Sequence, residues 1–414
     1  MKYGLIGEKL GHSYSKEIHS VIADYDYELC ELAPSEVEKF LKKRAFEGIN
    51  VTIPYKESVI EHLDYLSEEV VSIGAVNTIV NRGGKLYGYN TDYYGIKALF
   101  SHARIEVCGK TALVLGTGGT SKTAKKALID MGAEVYRVSR SSKEDAISYD
   151  EAYKYHSNAE IIFNATPCGM FPDVDKTPLD LSKFSSLEGV ADAVYNPLST
   201  ELVLSARERG IVATGGLYML AAQAVYASAL FGGIDLDGVD ESLVDLAYNS
   251  VADKKRNLVL IGMPSSGKTT VGKLLEKTVG REFFDTDAEL IPRLGRSIAE
   301  YFDLYGEKAF REEEKALIAE LSKKSGVIIA TGGGSVIDPD NVRALKRNGS
   351  IILLDRPLDM LTPTSDRPLS SDLDRLKRLY DERRPIYLSA ADIVEDGSVE
   401  PEAIVANIIK ECRL

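Results

Sequence analysis

The segment that most constrains the fold is residues 262–269, which read Gly-Met-Pro-Ser-Ser-Gly-Lys-Thr and follow an all-apolar run. This spacing is that of a phosphate-binding loop (P-loop), whose glycines let backbone N–H groups face phosphate oxygens at the start of a helix. The apolar run at 258–261 predicts a buried parallel strand, and the residues after the loop predict a helix. The sequence therefore predicts a nucleotide-binding α/β domain. The residues expected around the phosphates are Pro264, Ser265, Ser266, Gly267, Lys268 and Thr269.

The composition is that of a soluble, folded protein, with 44% hydrophobic and 27% charged residues. Its 414 residues exceed one ordinary domain, so two or three domains are expected. A formal net charge of -13 argues against nucleic-acid and anionic-membrane partners, because proteins that bind these carry basic patches. The four cysteines have neither metal-ligand spacing nor disulfide density, which favours a cytoplasmic location.

Residues 210–234 contain no charged residue and are long enough to span a bilayer. They include a pair of glycines, the polar Gln223 and many alanines, which are typical of a buried turn followed by a helix. We therefore predict no transmembrane segment. The N-terminus lacks the long apolar core of a signal peptide and predicts a short strand that ends at Gly7.

Short Val/Ile/Leu runs alternate with helical stretches along the chain, as parallel α/β units require. Strands are predicted at 49–53, 112–115, 134–138, 161–164, 258–261, 327–330 and 351–354. A polar segment at 250–257 predicts the main domain boundary, and a softer boundary is expected near Gly109. We expect one α/β domain at 1–100, with 235–252 packing back on it, a second at 101–234 and a third at 257–414.

Residues 111–121 predict a strand, a glycine turn and a helix start, the geometry that binds a dinucleotide pyrophosphate in a Rossmann fold. Ser121 replaces the third glycine of the usual pattern, and as a small residue it is compatible with close helix packing. The residues expected at the pyrophosphate are Gly116, Gly118, Gly119 and Thr120.

The next predicted strand ends about 20 residues beyond this turn, where a dinucleotide enzyme contacts the ribose. There Arg140 stands between Ser139 and Ser141. An NAD enzyme favours an acid at this place, whereas a basic residue and two hydroxyls suit the 2′-phosphate of NADP. These residues therefore favour NADP(H) over NAD.

Two carboxylates, Asp285 and Asp287, follow the helix after the P-loop, where the second strand of that domain is expected to end. From there one acid can organise Mg²⁺, and the other can accept a proton or hold a hydroxyl. A zinc site at His12 and His19 is not predicted, because no acid or cysteine completes the ligand set.

Three further motifs follow the P-loop in order: Arg-Ser-Ile-Ala-Glu-Tyr-Phe at 296–302, Gly-Glu-Lys-Ala-Phe-Arg-Glu-Glu-Glu at 306–314 and Thr-Gly-Gly-Gly at 331–334. With these motifs, residues 257–414 closely resemble shikimate kinase. The resemblance implies a P-loop NTPase fold of the nucleoside monophosphate kinase type, with ATP and Mg²⁺ as ligands.

The resemblance also assigns roles to single residues. Shikimate is expected at Asp287, Arg311, Gly333 and Arg383. Mg²⁺ is expected at Thr269 and Asp285, and Lys268 and Asp287 are the expected catalytic residues. Two arginine forks and an aspartate suit a ligand with one carboxylate and several hydroxyls.

Arg367 lies in a polar, turn-rich stretch that is typical of a mobile lid over ATP, and the resemblance implies that it contacts the phosphates. The chain departs from many family members at Met360, where they carry another arginine. We therefore expect the nucleotide to be held differently or more weakly.

Six motifs in the first 250 residues occur in the order found in shikimate dehydrogenase, which this part of the chain resembles. They lie at 11–15, 50–56, 74–78, 90–95, 164–170 and 219–224. The resemblance implies a substrate-binding α/β domain followed by a Rossmann domain that binds NADP. One departure is Lys16, which replaces a proline after the second serine of the first motif.

By this resemblance Lys56 and Asp92 form the catalytic pair, in which Lys56 protonates the developing alkoxide and Asp92 orients the lysine. Asp92 is also expected to bind a substrate hydroxyl. The other residues expected on the substrate are Ser13, Ser15, Thr52, Asn77, Tyr195 and Gln223. Gly216 is expected near the nicotinamide, as is Tyr195.

The sequence therefore predicts a bifunctional enzyme of aromatic amino acid biosynthesis. NADPH reduces 3-dehydroshikimate to shikimate in one part, and Mg-ATP phosphorylates shikimate at its 3-hydroxyl in the other. Two alternatives stay open: a dehydrogenase that also accepts quinate, and a chain in which one part has become a regulatory ligand binder. The sequence leaves the oligomeric state open.

Overall fold

Three β-sheets organise the described residues, 1–11, 13–140, 145–362 and 373–414, of this computed structural model. The chain divides into an N-terminal unit, Met1–Ala252, and a C-terminal unit, Asp253–Leu414. Two sheets belong to the N-terminal unit and one to the C-terminal unit.

The first sheet contains six strands in the order β2-β1-β3-β5-β6-β4. Strand β1 pairs in parallel with β2 and β3, whereas β5 runs antiparallel to both β3 and β6. The strands are β1 Tyr3–Gly7, β2 Tyr27–Glu31, β3 Gly48–Val51, β4 Tyr65–Leu66, β5 Thr78–Arg82 and β6 Lys85–Tyr89. The helices of this segment are α1 Ser15–Ile22, α2 Pro34–Lys43, α3 Glu68–Ile73 and α4 Thr91–Ala103.

The second sheet is entirely parallel, with the order β12-β11-β10-β7-β8-β9. Numbered from its own first strand this is 6-5-4-1-2-3, the strand order of a Rossmann fold. The strands are β7 Thr111–Leu115, β8 Glu134–Ser139, β9 Ile147–Ser148, β10 Ile161–Asn164, β11 Gly189–Asp192 and β12 Val212–Thr214. The helices are α5 Gly119–Asp130, α6 Tyr149–Tyr155, α7 Glu201–Glu208, α8 Leu217–Phe231 and α9 Ser242–Lys255.

The third sheet has five parallel strands in the order β14-β15-β13-β16-β17. The strands are β13 Asn257–Ile261, β14 Phe283–Asp285, β15 Ile328–Ala330, β16 Gly349–Asp355 and β17 Ile393–Asp396. The helices are α10 Lys268–Val279, α11 Thr286–Leu294, α12 Ile298–Leu321, α13 Pro339–Lys346, α14 Leu373–Ala390 and α15 Pro401–Glu411. Gly306 interrupts α12 with a left-handed φ of 80°.

The central parallel strands are buried on both faces. In β7, Ala112 and Val114 pack into one apolar cluster, while Leu113 and Leu115 pack into another. Strand β13 divides its side chains between two clusters in the same way. The continuous apolar runs in the sequence follow from this two-sided burial.

The predicted α/β fold class is confirmed, and each of the predicted strands is present with its ends within two residues of the expected positions. The uncharged segment 210–234 forms β12, a glycine turn and the largely buried helix α8. Among the described residues, no helix has the length and apolar character needed to cross a membrane.

Helices α4 and α8 pack closely because Gly95 has no side chain. A Cβ atom on Gly95 would lie 2.7 Å from the backbone oxygen of Met219 and 3.2 Å from Cβ of Gln223. Real Cβ atoms do not approach a backbone oxygen this closely, so any larger residue must move α8 away from α4.

We predict that Gly95→Ala lowers the free energy of unfolding of the N-terminal unit by ~1–3 kcal/mol, since the added methyl group forces the two helices apart. Chemical denaturation followed by circular dichroism measures this change. Ser101→Ala is the control, because Ser101 is on the same helix and exposed. Equal stability of the two variants would contradict close packing at Gly95.

Candidate active sites

Lys56 and Asp92 form an ion pair in the N-terminal unit, with Lys56 Nζ donating to Asp92 Oδ2 at 2.5 Å. Lys56 follows β3, and Asp92 lies in the first turn of α4, which Asn90 caps by accepting a hydrogen bond from the N–H of Tyr93. The side chains of Lys56 and Asp92 are 14% and 8% exposed. The pair is therefore shielded but not sealed from solvent.

Two amides extend this pair. Asn77 Nδ2 donates to Asp92 Oδ1 at 2.9 Å and to Gln223 Oε1 at 3.4 Å. Gln223 projects from α8, where its own amide nitrogen donates to the backbone oxygen of Leu220. The structure thus brings four of the predicted dehydrogenase residues into one hydrogen-bonded group.

The two predicted serines lie together at the start of α1, where Ser13 Oγ donates to Ser15 Oγ at 3.1 Å. Tyr195 hydrogen-bonds with Ser13, and its ring lies 5.2 Å from that of Tyr14. Burial raises the pKa of Tyr195 to about 12, so its hydroxyl stays protonated near neutral pH. Thr52, which is half-buried, follows β3, and Lys16 is exposed on α1.

The glycine turn after β7 lies beside Lys56, the predicted catalytic lysine. A Cβ on Gly119 would lie 3.4 Å from Cβ of Lys56, whereas a Cβ on Gly118 would meet open space. Ser121, at the place of the missing third glycine, is fully buried and donates to the backbone oxygen of Gly116 at 2.6 Å. The turn and the start of α5 thus form an open, N–H-rich edge that fits a dinucleotide pyrophosphate.

Backbone atoms also line the same sheet edge at the end of β11, where they contact Gly216. A Cβ on Gly216 would collide with the backbone oxygen of Ala193, so only glycine fits there. Arg140 is exposed directly after β8, and Ser139 is buried at the end of that strand. Thr120 is in the first turn of α5. The predicted contact Ser141 lies outside the described residues.

The P-loop connects β13 to α10 through backbone that favours glycine. Gly262 and Gly267 have φ of 146° and 96°, and Ser265 has φ of 64°. The Oγ atom of Ser266 is buried and finds no hydrogen-bond partner among the described residues, and a phosphate oxygen would supply one. Lys268 Nζ donates to the backbone oxygens of Gly262 and Met263, both at 2.9 Å. Pro264 is buried in the same loop.

A magnesium site fits beside this loop. Thr269 Oγ1 donates to Asp285 Oδ2 at 2.6 Å, and Asp285 Oδ1 accepts from the backbone N–H of Asp287 at 3.1 Å. A hydroxyl and a carboxylate are hard oxygen donors, which Mg²⁺ combines with phosphate oxygens and water.

The glycine turn after β15 collects the predicted acceptor residues. A Cβ on Gly332 would lie 2.7 Å from Asp287 Oδ1, and one on Gly334 would collide with the guanidinium group of Arg311. Arg383, which is buried, donates to the backbone oxygen of Gly333 at 3.1 Å. Asp287, Arg311 and Arg383 therefore converge on a surface that has no side chains of its own. The predicted lid residue Arg367 lies outside the described residues.

Sequence reasoning missed Glu314, which forms an ion pair with Arg311. Glu314 is 1% exposed, and Arg311 Nη1 donates to its Oε2 at 2.7 Å. Ser335 Oγ donates to the other carboxylate oxygen at 2.6 Å. The three-residue spacing from Arg311 was a signal for an ion pair on a helix, but it does not reveal that the carboxylate is buried.

A second missed residue, Arg356, lies beside the P-loop. Its Nη1 atom is 4.0 Å from the place that a Cβ on Gly267 would occupy, and its Nε donates to the backbone oxygen of Met360 at 3.2 Å. The side chain of Met360 is exposed. A guanidinium group thus stands near the nucleotide loop although the expected arginine is absent.

A buried carboxylate, Asp192, supports the backbone at Gly216. Its two oxygens accept hydrogen bonds from Thr200 Oγ1 at 2.6 Å, Asn164 Nδ2 at 2.9 Å and the Val194 N–H at 2.9 Å. Burial raises the pKa of Asp192 to about 7, although these three hydrogen bonds lower it.

Comparisons with known proteins agree with this geometry. The shikimate kinase family model matches residues 264–413, and the model of the shikimate dehydrogenase substrate binding domain matches residues 5–79. The NADP(+) shikimate dehydrogenase of Clostridium beijerinckii is 38% identical over 251 residues, which cover 57% of this chain and 93% of the relative. Both resemblances drawn from the motifs are confirmed.

Solved structures match the N-terminal unit. Shikimate dehydrogenase 1 from Peptoclostridium difficile is 39% identical with a TM-score of 0.55, covering 60% of this chain and 97% of that one. The shikimate 5-dehydrogenase of Thermus thermophilus, in complex with NADP(H) and shikimate, is 30% identical with a TM-score of 0.53. That match covers 60% of this chain and 98% of the other.

We predict that Asp192 makes the stability of the N-terminal unit depend on pH. Its folded-state pKa of about 7 lies above the ordinary 3.8 of the unfolded chain, so the folded state holds an extra proton between these values. The stability from this group is present below about pH 4 and is lost as the pH rises through about 7.

As the pH rises over this range, wild type should lose this stability and Asp192→Asn should not, since its amide stays neutral. The free energy of unfolding of Asp192→Asn should therefore rise by ~2–4 kcal/mol relative to that of wild type. Urea denaturation at several pH values measures the difference. Asp26→Asn, at an exposed position, is the control. A difference between Asp192→Asn and wild type that does not change with pH would contradict the prediction.

Proposed function

Because this chain belongs to the shikimate dehydrogenase family and carries a shikimate kinase domain, we propose that it catalyses two consecutive reactions. The N-terminal unit reduces 3-dehydroshikimate to shikimate with NADPH. The C-terminal unit transfers the γ-phosphoryl group of Mg-ATP to the 3-hydroxyl of shikimate. The observation that carries the proposal is the presence, in one polypeptide, of the Lys56–Asp92 pair and of a P-loop facing Asp287 and Arg311.

In the reduction, NADPH would supply the hydride for the ketone carbon when bound. Lys56 delivers a proton to the ketone oxygen, because its ammonium group is positioned by Asp92 and its side chain lies beside the glycine turn. Asp92 orients that ammonium group through the 2.5 Å contact and accepts from a substrate hydroxyl. Asn77 and Gln223 hold further hydroxyls, while Ser13, Ser15 and Thr52 supply neutral donors for the carboxylate.

The proposed cofactor contacts follow the edge of the second sheet. The turn residues Gly116, Gly118, Gly119 and Thr120 direct N–H groups at the pyrophosphate. Ser139, Ser141 and Arg140 receive the 2′-phosphate, and the exposure of Arg140 leaves its guanidinium free to turn toward it. Gly216 admits the nicotinamide ring close to backbone, beside Tyr195.

In the phosphoryl transfer, positioning and charge stabilisation do most of the work. Lys268 leaves the loop carbonyls to reach the β and γ phosphates, and Thr269 and Asp285 hold Mg²⁺ through oxygen. Asp287 accepts the proton of the attacking hydroxyl. Arg311 and Arg383 bind the shikimate carboxylate beside Gly333, and Arg367 closes over the phosphates. Arg356 adds positive charge at the nucleotide, which offsets the loss at Met360.

The two reactions are linked because the product of the first is the acceptor of the second. A coupled assay with 3-dehydroshikimate, NADPH and ATP tests this directly, following NADPH absorbance and ADP release together. We expect ADP release to depend on prior NADPH oxidation. Substituting quinate for shikimate in the reverse dehydrogenase assay, with NADP and with NAD, tests the broader specificity.

We predict that two lysine substitutions separate the activities. Lys56→Ala should lower dehydrogenase turnover by about 10²–10⁴-fold and leave the kinase unchanged, because it removes the proton donor. Lys268→Ala should lower kinase turnover by about 10²-fold or more and spare the dehydrogenase. Both half-reactions are measured on each full-length variant. Lys42→Ala, which breaks an exposed ion pair with Glu38, is the control. Loss of both activities from either single substitution would refute independent sites.

We predict that Arg140 selects the cofactor. Arg140→Ala should raise the KM for NADP⁺ by about 10-fold without changing the KM for NAD⁺, because only NADP⁺ carries the 2′-phosphate. Steady-state oxidation of shikimate with each cofactor measures both values. Arg209→Ala, at another exposed arginine, should change neither. An equal rise for both cofactors would assign Arg140 a role outside 2′-phosphate recognition.

A further inference from the structure

Buried polar side chains run from the edge strand β2 to Asp92. They belong to Tyr27, Asn50, Thr78, Asn77 and Asp92, and each residue is at most 5% exposed. The Tyr27 hydroxyl donates to Asn50 Oδ1 at 2.7 Å, and Asn50 Nδ2 donates to Thr78 Oγ1 at 3.0 Å. At the other end Asn77 Nδ2 donates to Asp92 Oδ1 at 2.9 Å. We call this series the Tyr27–Asp92 network.

The donor direction at Asn50 is fixed by backbone. Asn50 Nδ2 also donates to the backbone oxygen of Asn77 at 3.3 Å, and a carbonyl oxygen can only accept. The amide nitrogen must therefore face Asn77 and Thr78, which leaves Oδ1 toward Tyr27. Tyr27 is consequently the donor in its bond with Asn50.

The donor direction at Asn77 is fixed in the same way. The backbone N–H of Thr91 donates to Asn77 Oδ1 at 2.6 Å, so Nδ2 must face Asp92. Thr78 has a single hydroxyl proton and already accepts from Asn50. Its proton therefore points to Asn77 Oδ1 at 3.1 Å or to Thr91 Oγ1 at 3.0 Å. Either choice reinforces the same orientation of Asn77.

We propose that Tyr27 and Asn50 are positioning residues for the dehydrogenase reaction, acting through Thr78 and Asn77 to hold Asp92 in the orientation that accepts from Lys56. The inference rests on the proposed function of the N-terminal unit. Asp92 receives the network on Oδ1 and Lys56 on Oδ2, so both oxygens have a defined donor. In a buried setting, such aligned hydrogen bonds strengthen one another.

The network has a consequence for proton transfer. Asp92 holds Lys56 through Oδ2 and is itself held by Asn77 through Oδ1, so breaking the network displaces the group that exchanges a proton with the substrate. Proton transfer then becomes slower relative to the other steps, which raises the solvent deuterium isotope effect on kcat. Loss of folded protein would lower the rate without changing this isotope effect.

Tyr27→Phe is a selective probe because it removes one hydroxyl and keeps the ring. That ring stacks on His19 with centroids 3.8 Å apart and an interplanar angle of 9°. Tyr3→Phe is a matched control, since Tyr3 packs in the same aromatic group, against Tyr25, but its hydroxyl donates to Glu47 Oε2 at 2.6 Å. The two variants delete the same atom type, inside and outside the network.

The test measures shikimate oxidation by NADP⁺ on the full-length protein in H₂O and in D₂O, with the kinase activity of each sample as the measure of active chain. Tyr27→Phe should lower kcat by about threefold to tenfold and raise the solvent deuterium isotope effect on kcat. Tyr3→Phe should match wild type in both. A solvent isotope effect in Tyr27→Phe equal to that of wild type would overturn the proposal.

Further variants keep the test decisive if Tyr27→Phe folds poorly. Thr78→Val is nearly isosteric and cuts the network after Asn50, so it should also raise the solvent isotope effect. The double variant Tyr27→Phe with Asn50→Ala should be no worse than Asn50→Ala alone, and additive losses would overturn the proposal. A wild-type protein that does not oxidise shikimate would instead refute the proposed function.

Discussion

Parallel strand pairing is the constraint on which the candidate dinucleotide edge and the candidate kinase site depend, because it places the carboxyl ends of neighbouring strands at one edge of a sheet. In the second sheet this edge holds the glycine turn after β7, Arg140 after β8 and the carbonyl groups after β11 that exclude a side chain at Gly216. In the third sheet it holds the P-loop after β13, Asp285 at the end of β14 and the glycine turn after β15. Residues far apart in sequence thus become neighbours through register alone.

Each buried carboxylate that supports these edges has its own donors. Glu314 accepts from Arg311 and Ser335, and Asp192 accepts from two side chains and a backbone N–H. A buried carboxylate without partners would cost several kcal/mol, so these contacts are conditions for the local fold and not additions to it. Because these buried carboxylates and their donors keep the residues around them rigid, the surfaces that face the ligands can consist largely of glycine and backbone.

Features that depend on local sequence pattern were predicted from the sequence, whereas residues whose role depends on tertiary contacts were missed. The P-loop, the glycine turn after β7 and the parallel strands follow from spacing and apolar runs, and the structure has them in place. Glu314 was missed because its spacing from Arg311 allows an ion pair but does not reveal that its carboxylate is buried. Tyr27 was missed because its partner Asn50 lies 23 residues away on another strand. Ser141 and Arg367, outside the described residues, stay predictions.

The chain has a net charge of -13, and the cations at its candidate sites are already paired within the protein. Lys56 is held by Asp92, Arg311 by Glu314 and Glu307, and Lys268 by two loop carbonyls. A paired cation offers little net attraction, so what these sites provide is direction: donors fixed at the distances and angles that the ligand requires. Under the proposed function, Lys268 exchanges a carbonyl partner for a phosphate oxygen. At Asp92 the direction comes from both sides, since the neutral amide of Asn77 donates to one carboxylate oxygen and Lys56 to the other.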